Sequence, residues 1–159
     1  MMQKPIPNLW FDGNAEDAAN FYVSIFPNSK ITNVTRYTEA GPGKPGSAVT
    51  VEFEINGQSF VGINGGPHFK FTPAVSFSVL CETQGEIDTL WEKLLAGGGE
   101  PSQCGWLADR FGLSWQIVPR VLSQYLQDKD RVKANRVMQA MLKMVKLDIA
   151  TLKRAYDGA

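Results

Sequence analysis

The first seventy residues show two kinds of hydrophobic pattern in succession. A short apolar run at residues 6–11 predicts a strand. Apolar residues at helical spacing then predict a helix that has Asn14 as its N-cap and ends before Pro27. Alternating apolar and polar positions predict three further strands, the last two joined by a tight Asn-Gly turn: residues 30–38, 48–55 and 59–64.

The second half repeats this order of elements without repeating the residues. A strand is predicted at residues 75–80, and Thr83 with Glu86 forms a capping box at the start of a helix that three glycines end. A short strand near residues 100–103 and two strands around a turn at Gly112 complete the set. The chain therefore contains two candidate βαβββ repeats.

The residues after Pro119 are predicted to be helical, with apolar residues from Met138 to Tyr156 forming one stripe and lysines on the other face. Such methionine-rich stripes are usual in a core or a dimer surface.

The charge is unevenly distributed along the chain. From residue 131 onward the net charge is +5, and the preceding residues sum to −5. A solvated helix face, or docking onto the acidic remainder, is favoured over contact with nucleic acid or a membrane.

The composition is that of one globular domain, with 159 residues, 43% hydrophobic and 20% charged. No window approaches the roughly 18 consecutive apolar residues of a membrane span, and the N-terminus lacks an apolar signal core. A cytoplasmic protein is therefore expected. Cys81 and Cys104 are expected to be reduced thiols. The single histidine, His68, excludes any site that needs two imidazoles.

Two segments resemble a known family. They are P-N-L-W-F-D-G-N-A-E-D-A-A-N-F-Y-V-S-I-F-P at residues 7–27 and G-W-L-A-D-R-F-G-L-S-W-Q-I-V-P at residues 105–119. Both resemble the PhnB-like branch of the vicinal oxygen chelate superfamily, which includes glyoxalase I, extradiol dioxygenases and the bleomycin- and fosfomycin-resistance proteins. This branch is often labelled 3-demethylubiquinone-9 3-methyltransferase.

The resemblance implies an α+β fold of paired βαβββ modules, at about residues 5–66 and 74–119. These would form one domain over residues 1–120, followed by a C-terminal helical extension at residues 121–159. The sheets would curl into an open cup around a ligand cavity, and the protein would be a homodimer. The alternation of residues agrees, because one face of each predicted sheet is apolar and the other is polar.

Metal enzymes of this superfamily take one ligand, mostly His or Glu, from the first and last strand of each module. The resemblance places these four positions at residues that are aliphatic except for one amide: near Ile6 and Ala74, at Val61 or Ile63, and at Gln116. A single neutral amide cannot hold a divalent cation, and an alignment shift that brings in Asn8 still gives a poor site. No metal and no cofactor are therefore expected.

Two other chemistries lack the context that they need. Methyl transfer from S-adenosylmethionine uses a glycine-rich turn between a strand and a helix, whereas the glycines at 97–99 follow a helix and residues 62–66 lead into a loop. Cys81 lies just before a helix cap, which can lower a thiol pKa, but no base is placed beside it. A buried structural cysteine is favoured.

A small-molecule site remains, lined by polar side chains and one indole on the predicted cavity face: Asn8, Trp10, Thr50, Glu52, Ser76, Ser78 and Gln116. These groups suit a small polar or aromatic ligand, by hydrogen bonding and stacking. The favoured hypothesis is a metal-free binding protein, comparable to sequestering resistance proteins. The alternative is an enzyme of the same superfamily (an isomerase, dioxygenase or transferase acting on a small metabolite).

Each of these residues also has a simpler interpretation. Glu52 is a candidate general base for the enzyme, but an ordinary exposed strand carboxylate has the same pattern. Trp10 and Gln116 are equally typical of core residues with satisfied polar ends. Phe69 and Phe71, in the segment between the modules, suit either a lid over a pocket or packing against the core.

Overall fold

The computed structural model describes all residues 1–159 and contains two compact units, residues 1–70 and 71–159. The first unit consists of β1 (Asn8–Phe11), α1 (Ala15–Ile25), β2 (Lys30–Arg36), β3 (Ala48–Ile55) and β4 (Gln58–Asn64). The second consists of β5 (Ser76–Cys81), α2 (Gln84–Leu95), β6 (Glu100–Pro101), β7 (Trp106–Ala108), β8 (Ser114–Pro119), α3 (Arg120–Leu126), α4 (Arg131–Met141) and α5 (Ile149–Asp157). The two predicted βαβββ repeats and the α+β class are confirmed.

The first sheet has the strand order β1-β4-β3-β2, with β1 parallel to β4 and the other pairs antiparallel. One face packs against α1, where Val51 and Phe53 of β3 are buried with Tyr22 of the helix. The apolar alternation in β3 is therefore a core pattern, as predicted. The first strand begins two residues later than predicted, and Ile6 lies outside it with an exposed side chain.

The N-terminus of α1 is capped from a distance. Asn14 occupies the N-cap position, as predicted, but its side chain makes no capping hydrogen bond. Asn64, at the end of β4, provides the bond instead. Its Oδ1 accepts from the N–H of Ala15 at 2.9 Å, and its Nδ2 donates to the carbonyl oxygen of Ala48 at 3.1 Å. One amide thus joins the helix to two strands.

The second sheet repeats the pattern, with the order β5-β8-β7-β6 and β5 parallel to β8. Helix α2 packs on one face and buries Ile87 and Leu94. It begins at the predicted capping box, in which the Thr83 hydroxyl accepts from the N–H of Glu86 at 3.2 Å. The first strand of this module begins at Ser76, one residue later than predicted.

The C-terminal segment forms three helices, and the prediction of one continuous stripe is wrong because α4 ends at Met141 and α5 begins at Ile149. The helices share a small core of buried aliphatic residues: Leu122, Val137, Leu147 and Leu152. Gln84 of α2 binds this segment at two points. Its Nε2 donates to the carbonyl oxygen of Leu147 at 3.1 Å, and its Oε1 accepts from the N–H of Ile149 at 2.9 Å.

The three C-terminal helices belong to the same compact unit as the second sheet. That residues 1–120 form a domain by themselves stays a prediction. No helix has both the length and the apolar composition that crossing a membrane requires.

Candidate functional site

The face of the first sheet opposite α1, here called the first open face, shows side chains from neighbouring strands in two adjacent rows. The strand register gives the rows Asn8–Val61–Glu52 and Trp10–Ile63–Thr50. The four site residues predicted in this module, Asn8, Trp10, Thr50 and Glu52, therefore lie on one face within two neighbouring rows.

Trp10 is held by its own module. Its indole Nε1 donates to the carbonyl oxygen of Gly66 at 2.9 Å, and its ring meets Phe69 edge-to-face with centroids 5.0 Å apart. Phe69 is 66% exposed, so it packs on the indole rather than in a core. Trp10 can therefore offer a ligand its ring surface, because its hydrogen-bond donor is already used.

Glu52 is exposed on the first open face and forms no ion pair or hydrogen bond. The side chain of Asn8, in the same row, donates to the carbonyl oxygen of Ile6 at 2.9 Å and is exposed as well. A general base has to be oriented by a partner or shielded from water to act well. Nothing in its own module does either for Glu52.

The face of the second sheet opposite α2, the second open face, brings the other predicted residues together. Its rows are Ser76–Ser114–Ala108 and Ser78–Gln116–Trp106. Within them, Nε2 of Gln116 donates to Oγ of Ser76 at 2.9 Å. The carbonyl oxygen of the Gln116 amide makes no hydrogen bond, so the pair presents one free acceptor and a hydroxyl that can still donate.

A cavity of about 230 Å³ lies beside this pair, toward β6. Its lining includes Trp106 and Ser114, which neighbour Gln116 and Ser76 in the register, together with Glu100. None of these three was a predicted site residue. The strand that contains Trp106 has only three residues, too few for alternation to show which side chains share a face.

The hairpin between β7 and β8 is fixed by a buried carboxylate, Asp109, which is 3% exposed. It accepts from three donors: the N–H of Phe111 at 2.9 Å, the N–H of Leu113 at 3.1 Å and the indole Nε1 of Trp115 at 2.9 Å. Gly112 turns the chain with a φ of 86°. Because Trp106 and Gln116 lie on either side of this turn, Asp109 sets their relative positions.

Residues 3–118 match the family model described as 3-demethylubiquinone-9 3-methyltransferase. The sequence is also 42% identical to the PhnB protein from Bacillus cereus, over 74% of this chain and 99% of that one, with a TM-score of 0.67. The chain belongs to this PhnB-like family. The family is a branch of the vicinal oxygen chelate superfamily, as the two sequence segments predict.

More distant structures share the fold of this PhnB-like chain. Protein PA1353 from Pseudomonas aeruginosa is 16% identical over 74% of this chain and 98% of its own, with a TM-score of 0.61. The fosfomycin resistance protein FosX from Listeria monocytogenes is 16% identical over 78% of this chain and 98% of its own, with a TM-score of 0.52. No curated protein matches the sequence.

The positions at which the family resemblance places metal ligands are poor in donors in this PhnB-like chain. Ile6 and Ala74 both precede their strands, and the first strand residues are Asn8 and Ser76. The register pairs Asn8 with Val61, which is aliphatic. No group of three or more His, Cys, Asp or Glu side chains is arranged to hold a metal ion. Neutral amides and hydroxyls among aliphatic side chains do not fit a zinc or manganese ion.

Cys81 is a structural thiol. Its side chain is 2% exposed, and burial, with a smaller contribution from Glu86, raises its pKa from the ordinary value to about 11. The thiol is therefore protonated at neutral pH, and only the thiolate is an effective nucleophile. The interpretation of Cys81 as a buried structural cysteine is consistent with this geometry.

Proposed function

We propose that this PhnB-like protein binds a small polar or aromatic molecule without a metal ion, on the open face of one of its sheets. The observation that carries the proposal is the hydrogen-bonded pair of Gln116 and Ser76 on the second open face. An amide and a hydroxyl fixed by each other on a rigid sheet form a preorganised set of donors and acceptors, which is what binding sites for small polar ligands provide.

The first open face, by itself, offers groups of the same chemical type. Thr50 offers a hydroxyl, Asn8 an amide and Trp10 a ring surface. Hydrogen bonds would select the orientation of the ligand, and the indole would contribute contact area. This combination suits a ligand with both a flat or apolar part and a polar part.

Binding without a metal is supported by the donor set. A structure of FosX from Listeria monocytogenes was obtained in complex with Mn(II). In this chain, the family resemblance places metal ligands near Ile6 and Ala74, at Val61 or Ile63, and at Gln116. None of these residues offers a carboxylate or an imidazole. The proposed mode of action is therefore capture of a ligand, with neither a Lewis acid nor a resident cofactor.

The methyltransferase in the family description is proposed to be a name rather than the activity of this chain. Residues 65–75, which follow β4, include Gly65 and Gly66 but open no helix, and the glycines at 97–99 follow α2. The nucleotide part of S-adenosylmethionine is bound by a glycine-rich turn that opens a helix. An enzyme that uses Glu52 as a general base is the competing hypothesis.

The experiment is a melting-temperature screen of the purified protein against small metabolites, together with elemental analysis. We expect at least one polar or aromatic compound to raise the melting temperature, and less than stoichiometric zinc, nickel, manganese or iron. For that compound, Gln116→Ala and Ser76→Ala should each weaken binding about tenfold, the effect of one lost hydrogen bond. Gln139→Ala, at an exposed position of α4, is the matched control.

Three results would contradict the proposal. Stoichiometric metal would refute a metal-free site, and unchanged affinity in Gln116→Ala, Ser76→Ala and Trp10→Ala would show that the ligand binds elsewhere. Turnover of the compound that Glu52→Gln abolishes would favour the enzyme. A homodimer in the cytoplasm completes the proposal, and light scattering that gives a monomer mass at micromolar concentration would refute the dimer.

A further inference from the structure

The cavity on the second open face is lined by several polar side chains and one indole that make no hydrogen bond within the protein. It has a volume of about 230 Å³ and lies at the edge formed by β6 and β7. Pro73, Pro101 and Trp106 give it apolar walls, and Glu100, Ser102 and Ser114 give it polar groups. Pockets for drug-sized ligands are larger, roughly 300–1,000 Å³, so this cavity fits only a small molecule.

Trp106 differs from the two tryptophans whose indole N–H is used inside the protein. Trp10 donates to the Gly66 carbonyl oxygen and Trp115 donates to Asp109, each at 2.9 Å. The indole of Trp106 makes no hydrogen bond and stacks on no other ring, although it is half-buried. Both its face and its donor are therefore available to a molecule in the cavity.

Ser114 is a second unpartnered group, and it lies deeper. It is 4% exposed, and its hydroxyl makes no hydrogen bond. The other buried polar residue, Asp109, accepts from three donors. Buried polar groups in proteins are almost always paired, by protein, water or ligand. No buried side-chain nitrogen or oxygen atom lacks a partner in this chain, so the Ser114 hydroxyl is not sealed in the core. It reaches the open space of the cavity and can bond to a molecule there.

The charge of the lining decides the class of that molecule. The carboxylate of Glu100 forms no ion pair, and no lysine or arginine lines the cavity. A carboxylate and an unoccupied indole face in the lining of one cavity favour a cation, which is attracted by both the charge and the ring quadrupole. The same lining would repel an anion. A neutral molecule would be attracted neither by the carboxylate charge nor by the ring quadrupole.

We propose that this cavity binds a small organic ammonium compound that also has a hydrogen-bonding group. Its cationic head lies against the face of Trp106 and near Glu100, and its polar group bonds to the hydroxyl of Ser114. This inference rests on the proposed function, since it names the ligand class for the second open face. The cavity adjoins the Gln116–Ser76 pair through the strand register.

A matched set of three probes tests the charge preference. Choline, 3,3-dimethylbutan-1-ol and 3,3-dimethylbutanoate have nearly the same shape and are cationic, neutral and anionic. Each is titrated into ¹⁵N-labelled protein, and the indole N–H resonances report binding, with the Trp106 resonance assigned from Trp106→Phe. We expect choline to shift the Trp106 resonance with a Kd at least tenfold lower than that of the neutral alcohol, and no binding of the carboxylate.

Variants then test each contact. Glu100→Gln should reduce the preference for choline over the alcohol to less than threefold, and Glu92→Gln, an exposed glutamate of α2, should leave it unchanged. Trp106→Leu should abolish choline binding, Trp106→Phe should retain part of it, and Trp91→Leu is the control for loss of an indole. Ser114→Ala should weaken choline binding about tenfold without affecting the charge preference.

The outcomes separate this inference from the proposed function. Equal or tighter binding of the neutral or anionic probe overturns the ammonium class, while any ligand found in the melting screen still supports a binding protein. No shift of the Trp106 resonance by choline also overturns it. Another outcome is that choline binds in the cavity while Gln116→Ala and Ser76→Ala leave the affinity for the ligand from the melting screen unchanged. In that case the cavity assignment stands, and the proposed site at the Gln116–Ser76 pair is wrong.

Discussion

Replacing Asp109 with alanine is expected to lower the free energy of unfolding by about 4 kcal/mol, more than any other single carboxylate substitution in the chain. The side chain is 3% exposed and accepts three hydrogen bonds of 2.9 to 3.1 Å, two from the backbone of the β7–β8 turn and one from the indole of Trp115. Alanine removes the acceptor and leaves those donors without partners.

The magnitude follows from these bonds. A hydrogen bond to a charged group contributes about 1.5–3 kcal/mol, and the donors left unpaired in a buried site add a desolvation cost. Three independent bonds would then exceed 4.5 kcal/mol, but bonds to one acceptor are not additive. Asp109→Asn should lower the free energy of unfolding by about half as much, because the amide oxygen can still accept a hydrogen bond while the NH₂ group faces other donors.

Urea unfolding followed by circular dichroism and by tryptophan fluorescence measures both variants. Asp12→Ala removes an exposed carboxylate that has no hydrogen bond and should change the free energy by less than about 0.5 kcal/mol. A loss of less than about 1 kcal/mol in Asp109→Ala would refute the reasoning, because it would mean that the turn forms equally well without its central acceptor.

Three further predictions follow from local contacts. Asn64→Ala should destabilise the chain by about 1–2 kcal/mol in urea unfolding, whereas Asn14→Ala should have almost no effect, since only the first side chain caps α1. Gln84→Ala should increase hydrogen exchange in α5 by at least tenfold relative to α1, because both bonds to the C-terminal segment are lost; unchanged exchange would argue against that role. Buried Cys81 should resist alkylation at pH 9, whereas the partly exposed Cys104 should react. The neutral thiol of Cys81 should contribute to the free energy of unfolding below pH 9, and this contribution should be lost as pH rises through about 11. Unfolding curves at pH 8, 9.5 and 11 would measure the loss.

The order of elements could be predicted because each module follows its local periodicity closely. The strand at Ala48–Ile55, the capping box at Thr83 and the turn at Gly112 all lie where the sequence predicts them. Each of these depends on residues within a few positions of one another. Local chemistry of this kind is visible in a sequence without knowledge of the fold.

Contacts between distant residues could not be predicted in the same way. Asn64 caps a helix that begins 49 positions earlier. The β1–β4 pairing places its amide beside the first turn of α1, so Asn64 rather than the adjacent Asn14 accepts the hydrogen bond from Ala15. The break after Met141 was missed because the apolar spacing continues through it. That spacing does not show that Leu147 turns back to bind Gln84.

The residues of the candidate site also fall into those that local patterns predict and those that depend on contacts between distant strands. Alternation was sufficient to pair Thr50 with Glu52 and Ser76 with Ser78, and the family resemblance singled out Gln116. The strand register then groups Asn8 and Trp10 with the first pair, and Gln116 with the second. The lining by Glu100 needed the register of the short edge strand β6, which no pattern of two residues can fix. Ser114 lies two positions before Gln116 in β8, so alternation alone would have placed it on the same face.

The parallel pairing of the first and last strand in each module has a consequence for synthesis of the chain. Strand β1 is synthesised before its partner β4, which follows about fifty residues later. Strand β5 is likewise synthesised before its partner β8. The first unit can thus close while the second is still being translated, because it is a compact unit that spans residues 1–70. A pause in translation shortly after β4 would protect this chain, whereas a stop inside β8 would leave β5 as an unpaired, aggregation-prone strand.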